Sequence, residues 1–140
     1  ADFLVLALKD EDEKLQRLAL NELVKQKHAK AFGSIEFLVT ERKFKERPPD
    51  QIRELLEAYA QLGGKKAYEL LEKFATQKFL VASEKQERVR DFAVRALGLT
   101  QDPAANELLQ KLMESRNKSI AESARRTLAR AIKGSGHEQQ

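Results

Sequence analysis

The sequence of 140 residues contains no cysteine and no tryptophan, and its longest apolar run, residues 3–8, has only six residues. The absence of cysteine excludes disulfide bonds, thiolate metal ligands and a cysteine nucleophile. A membrane-spanning helix needs about 20 apolar residues, so we expect no membrane partner. Any compartment tolerates a chain without cysteine, so a cytoplasmic location is only the default expectation. A removed leader is the alternative, because the chain starts at Ala1.

Histidine is also scarce, and the two that occur, His28 and His137, have no second His, Cys or paired carboxylate at metal-ligand spacing. The sequence lacks the G-x-S-x-G pattern of a serine nucleophile and lacks a glycine-rich phosphate loop. We therefore predict no enzyme activity, no catalytic residues, no metal site and no cofactor.

Helix-forming and charged residues make up most of the chain. Asp, Glu, Lys and Arg account for 34% of it and apolar residues for 41%. Ala, Leu, Glu, Lys and Arg dominate, which favours helices, and no stretch alternates apolar and polar residues like a strand. The 26 cations and 22 carboxylates, with a net charge of +4, are interspersed at helical spacing. The composition therefore predicts an all-α protein.

Apolar positions recur along the chain at a spacing that indicates repeats. The predicted helices form pairs, each with a first and a second helix. The first inward residue of each first helix recurs at steps of 37, 37 and 31 residues, and a small residue of each second helix recurs at steps of 36 and 38 residues. These two series are Leu15, Ile52, Val89 and Ile120, and Ala31, Ala67 and Ala105. On the first helix of the series, Leu18, Ala19 and Leu23 continue the expected inward face. Helix pairs of this kind bury their apolar faces by stacking on their neighbours.

The predicted repeats cover residues 10–46, 48–82 and 83–115, with a half repeat at 117–133 and a disordered tail at 134–140 that lacks apolar residues. Residues 1–9 are expected to be the end of a helix from a preceding repeat, or a terminal cap helix. The expected N-caps are Asp10, Ser83, Asp102 and Asn117. Gly63 and Gly64 are expected to end a helix, and Gly33 to mark a close approach between helices.

The second half of the chain carries a specific pattern. Val89-Arg90 opens a helix, Ala96-Leu97-Gly98 ends it, and Asp102-Pro103-Ala104-Ala105 opens the next. This pattern resembles the short bacterial HEAT-like repeats known as PBS-lyase HEAT-like. The resemblance implies an α-solenoid of about three and a half antiparallel helix pairs, in which the second helices line a concave face. It implies no single activity.

We interpret the chain as a non-catalytic scaffold that binds a protein partner on the outward face of the second helices. The candidate residues for this face are Phe37, Tyr68, Glu72, Lys73, Asn106, Gln110 and Lys111. Tyr68 is favoured because tyrosine combines a large contact area with a polar group. Phe37 is either an exposed apolar anchor or a residue that packs against Phe44.

Two other interpretations stay open. The first is nucleic-acid binding through a basic surface on the last helix, formed by Arg125, Arg126, Arg130 and Lys133. The same cations are more typical of a solvated helix end that is paired with Glu122. The second is an accessory repeat domain of a larger signalling or enzymatic protein.

Overall fold

The computed structural model describes residues 2–8, 12–27 and 29–138, and every regular element within these ranges is helical. The helices are α1 (Asp2–Ala7), α2 (Glu13–Lys25), α3 (Ala29–Thr40), α4 (Pro49–Gly63), α5 (Lys65–Thr76), α6 (Glu84–Leu97), α7 (Pro103–Leu112) and α8 (Lys118–Glu138), with a 3-10 turn at Phe44–Glu46. The predicted all-α class is confirmed. Within the described ranges, none of these helices has the length and apolar character needed to cross a membrane.

The helices fall into two groups by their contacts. The even-numbered helices form one series, in which α2 contacts α4, α4 contacts α6 and α6 contacts α8. The odd-numbered helices lie against them, because α1, α3, α5 and α7 each contact the helix that follows in the chain. Within the odd group, α1 contacts α3 and α5 contacts α7. Each odd-numbered helix from α3 onward therefore has one side against the even series.

The odd-numbered helices bury the same pair of positions. The aligned alanines of the sequence are fully buried, and so is the larger aliphatic residue four positions later. These pairs are Ala31 and Ile35 in α3, Ala67 and Leu71 in α5, and Ala105 and Leu109 in α7. Residues four apart lie on one face of a helix, and a small residue there lets two helices approach closely. The spacing of the alanines was a correct guide to the buried face.

The predicted inward face of α2 is wrong by one residue at its start. Leu18 is 67% exposed and Leu15 is also exposed, whereas Gln16 is buried together with Ala19, Leu20 and Leu23. The Gln16 side-chain amide donates a hydrogen bond of 2.6 Å to the main-chain carbonyl of Leu8. This bond compensates for the burial of a polar group. A pattern that places only apolar residues inward does not identify such a position.

Local sequence signals fixed most of the helix starts. Ser83 is the N-cap of α6 as predicted and forms a capping box with Gln86, and Asp102 and Asn117 cap α7 and α8 as expected. The cap of α2 is Asp12, whose carboxylate accepts from the main-chain N–H groups of Lys14 and Leu15. The predicted cap, Asp10, lies outside the described residues. Helix α2 begins at Glu13, which places Asp12 at the N-cap position.

The glycines behave differently from one another. Gly64 has a φ of +53°, a left-handed conformation that suits glycine, and it is the C-cap of α4. A Cβ on Gly63 would overlap the Phe32 ring, so the close approach is here. The prediction of a close approach at Gly33 is wrong, because a Cβ at that position would have no atom within 4 Å.

The end of the chain also differs from the prediction. Helix α8 continues to Glu138, so residues 134–138 are helical where a disordered tail was expected. A helix that is already formed and packed extends at low cost, since adding one residue adds one hydrogen bond. Residues 139–140 lie outside the described ranges.

Candidate partner-binding surfaces

Helix α3 presents an apolar side chain away from its buried face. Phe37 is 62% exposed, which favours the anchor interpretation over packing against Phe44. Phe44 is itself buried and stacks on Phe74, with the two ring centroids 6.4 Å apart. An exposed aromatic ring on a helix whose opposite face is buried is typical of a contact residue for a partner.

Tyr68 on α5 is more buried than a contact residue usually is. Its ring packs against the core, and its hydroxyl donates a hydrogen bond of 2.5 Å to Glu72 Oε2, one turn later in the helix. Burial, and then this hydrogen bond, raise the pKa of the Tyr68 phenol to about 12. The polar group that made Tyr68 attractive for binding is therefore already occupied by Glu72.

Two carboxylates, at the N-cap of α7 and within α7, also act on the same phenol. The negative charges of Asp102 and Glu107 also raise the pKa of Tyr68. The remaining predicted residues of α5 and α7 are exposed; they are Lys73, Asn106, Gln110 and Lys111. The structure thus brings the α5 and α7 candidates onto adjacent helices, with Phe37 on α3.

The basic surface of α8 is partly neutralised by its own helix. Glu122 accepts hydrogen bonds from the guanidinium groups of Arg125, at 2.6 and 3.1 Å, and of Arg126, at 3.0 Å. The bond from Arg125 is the main reason why the pKa of Glu122 lies below its usual range. Arg130 and Lys133 are exposed and form no ion pair with any described residue. The predicted pairing of Glu122 is confirmed.

Sequence reasoning missed a cleft of about 260 Å³ where four elements meet. It lies among the end of α3, the 3-10 turn, the end of α5 and the start of α6. Its apolar walls are Val39, Phe44, Leu70, Phe74, Phe79 and Val89. Polar residues complete the lining, and Lys73 is the only residue of the predicted set among them. We call this feature the loop-edge cleft.

The cations of the loop-edge cleft are available for a ligand. Arg42, Lys45 and Lys73 line it and form no ion pair with any described residue. The lining contains one carboxylate, Glu41, and its Oε2 lies 3.7 Å from a guanidinium nitrogen of Arg47. The cleft therefore combines apolar walls with an excess of positive charge.

A signal for this cleft is present in the sequence. The run Arg42-Lys43-Phe44-Lys45 places three cations around an aromatic residue in a connection between helices. From the sequence alone, this pattern indicates only a loop. The cleft forms because the fold packs α5 and α6 against this loop. The apolar walls come from residues up to 50 positions apart, from Val39 to Val89, so no local pattern can predict them.

Outside these surfaces, the described residues contain no group of three or more His, Asp or Glu side chains that could hold a metal ion. His28 lies outside the described ranges. Comparison with known proteins finds no matching family model, no matching curated protein and no matching solved structure.

Proposed function

We propose that this chain is an α-solenoid of HEAT-like helix pairs that works as a non-catalytic protein-interaction module. The partner binds the outward face of α3, α5 and α7. The repeats of the sequence, the resemblance at Val89–Ala105 and the succession of contacts among even-numbered helices support this architecture. In a solenoid, each pair buries its apolar face on its neighbours and leaves a long outer surface for a partner.

The observation that carries the proposal is the exposure of Phe37. Its helix buries Ala31, Ile35, Leu38 and Val39 on the opposite side, so the apolar requirement of the fold is met without it. Interfaces concentrate their binding energy in a few aromatic side chains that are surrounded by polar contacts. Phe37, with the exposed polar residues of α5 and α7, has this composition.

A crosslinking pull-down from the native cell tests the proposal. The bait is the unmodified chain, and the test variant is Phe37→Ser with Lys111→Glu. The matched control is Leu18→Ser with Lys14→Glu on α2, because Leu18 is as exposed as Phe37 and both changes are the same in kind. We expect a protein that the test variant loses and the control retains. Equal capture by both variants, or capture of no protein, contradicts the proposal.

The nucleic-acid alternative has weaker support. Two of its four cations, Arg125 and Arg126, are engaged by Glu122, and the remaining two lie on one helix end. A nucleic-acid surface usually concentrates several free cations in one stripe. A shift of duplex DNA at low salt, about 50 mM, that Arg130→Gln with Lys133→Gln abolishes would favour this alternative.

A further inference from the structure

The loop-edge cleft has a size that suits a side chain of a peptide. Small-molecule and cofactor sites usually have volumes of roughly 300–1,000 Å³, and this cleft has about 260 Å³. Its walls include three phenylalanine rings. The Arg90 guanidinium lies over the Phe79 ring, 5.3 Å from its centroid. A bulky apolar side chain would replace solvent in the cleft and would bury its surface there.

The charges around the cleft define the flanks of the occupant. Arg42 and Lys45 come from the α3–α4 connection, and Lys73 comes from α5, so the cations approach from two sides. Glu41, the one carboxylate among the described lining residues, lies within ion-pair distance of Arg47 at 3.7 Å, so the three lining cations outnumber it. Carboxylates on both sides of an apolar anchor would pair with these cations. Arg in particular binds carboxylates with two parallel hydrogen bonds.

Two further apolar side chains extend this surface. Leu80 and Val81 follow Phe79 in the α5–α6 connection, and both are almost fully exposed. They directly follow Phe79, a residue of the cleft wall, along the chain. Contiguous exposed apolar residues are typical of interaction sites for proteins.

We propose that the loop-edge cleft binds an acidic peptide segment of a protein partner, with one bulky apolar side chain in the cleft and carboxylates on Arg42, Lys45 and Lys73. This inference rests on the proposed function, because it names the chemistry of a partner and a second surface that recognises it. A nucleic acid would also meet the cations. It would leave the apolar walls of the cleft without an apolar ligand, so the peptide is the occupant that satisfies both features.

Selection from a random peptide library displayed on phage tests this proposal, with the immobilised full chain as bait. We expect enriched peptides to carry a Phe, Leu, Ile or Met flanked by Asp or Glu. An enriched peptide is then synthesised with a fluorescent label, and its Kd is measured by anisotropy. Failure to enrich any peptide, or enrichment of peptides without carboxylates, overturns the proposal.

Variants assign the binding to the cleft. Arg42→Glu with Lys45→Glu reverses two rim charges, and we expect a Kd increase of roughly tenfold or more. Lys43→Glu with Lys78→Glu is the control with the same change of charge. Lys43 lies on the α3–α4 connection and Lys78 on the α5–α6 connection; both are exposed and neither lines the cleft. We expect its Kd to stay within about twofold, a difference below 0.5 kcal/mol. Equal weakening by both pairs overturns the proposal in favour of a diffuse charge effect.

A third variant tests the apolar part while it keeps every charge. Gln77 is exposed and lines the cleft, so Gln77→Trp places a large ring over the walls without removing a core residue. We expect it to weaken peptide binding to the same extent as the charge reversal. Circular dichroism of all variants verifies that they fold. Unchanged peptide binding by folded Gln77→Trp contradicts occupation of the cleft.

The same variants separate this proposal from the proposed function. The cleft proposal alone is refuted by one combination of results. The partner is lost by Phe37→Ser with Lys111→Glu and retained by Arg42→Glu with Lys45→Glu, and no peptide is selected. If an acidic peptide is selected but no partner is captured, only the proposal of partner binding on the face of α3, α5 and α7 is refuted. If no peptide is enriched, and the charge reversal abolishes binding of duplex DNA or of anionic vesicles, the occupant is another anion and the peptide proposal is overturned.

Discussion

The Tyr59 hydroxyl of α4 donates a hydrogen bond of 3.0 Å to the Glu36 carboxylate of α3. The Tyr59 ring is buried and stacks on Phe32, with the ring centroids 4.8 Å apart. This contact joins the second helix of one predicted pair to the first helix of the next. It therefore contributes to the packing of α3 against α4 as well as to the core.

Tyr59→Phe tests the value of this bond. The variant keeps the stacked ring and removes only the hydroxyl, and Glu36 can then regain water because it is exposed. We expect the free energy of unfolding to fall by about 1.5 kcal/mol, the low end for a hydrogen bond to a charged group, as measured by urea denaturation. A loss within experimental error would show that this hydrogen bond is no more favourable than the bonds that both groups form with water in the unfolded chain.

The two tyrosines should ionise unusually late. Burial raises the pKa of both phenols above the ordinary value of 10, to about 12 for Tyr68. Folding therefore favours the neutral phenol, so its contribution to stability is complete below pH 10 and is lost as the pH rises through about 12. Tyrosinate absorbance measures this directly, because the chain has no tryptophan and only two tyrosines. We expect little ionisation at pH 10 in the folded chain and about half in denaturant.

Tyr68→Phe assigns the two titrations. The variant should remove the ionisation near pH 12 and leave the later ionisation of Tyr59. If half of the tyrosine absorbance change in the folded wild type were complete at pH 10, the described environment of these phenols would be wrong.

Two glycines should respond in opposite directions to the same substitution. Gly33→Ala adds a methyl group where nothing lies within 4 Å, inside α3. We expect it to stabilise the chain by roughly 0.5–1 kcal/mol, because alanine has the higher helix propensity. Gly63→Ala should destabilise by about 1–3 kcal/mol through overlap with Phe32. Thermal denaturation of both variants provides the comparison, and a shift of the same sign in both would contradict the packing at Gly63.

Gln16→Leu replaces a buried polar side chain with an apolar one of similar length. Hydrophobicity alone predicts a gain in stability. The structure predicts a loss of about 1–3 kcal/mol, because the buried carbonyl of Leu8 loses its donor. Gln61→Leu is the control, since Gln61 is exposed on α4, and its effect should stay within about 0.5 kcal/mol. A stabilised Gln16→Leu chain would show that the Leu8 carbonyl finds another donor or water.

Features that depend on neighbours in sequence were predictable here, and features that depend on the fold were not. The capping box of Ser83 and Gln86 and the left-handed Gly64 follow from local chemistry. The inward position of Gln16 depends on a carbonyl eight residues away, beyond the reach of helical periodicity. The sequence left two interpretations open for Phe37, an exposed anchor or packing against Phe44, and only the fold shows that it is exposed.

The candidate surfaces show the same division. Lys73 was predicted as an outward residue, and it is exposed. The cleft that it borders could not be predicted, because its other walls belong to the 3-10 turn, α3 and α6. The occupied hydroxyl of Tyr68 was missed for a different reason. Glu72 lies one turn away and was placed in the same surface, but its rotamer towards Tyr68 is a property of the folded chain.

The connections between helices differ in length, and this difference determines where the chain can accept insertions and substitutions. Only Gly64 separates α4 from α5, whereas residues 41–48 join α3 to α4 and residues 77–83 join α5 to α6. A link of one residue transmits any insertion directly into both helices. The longer connections accept insertions and substitutions at little cost to the packing of the helices. Variation across homologues is therefore expected to accumulate in these two connections, where binding preference can diversify while the helices stay the same.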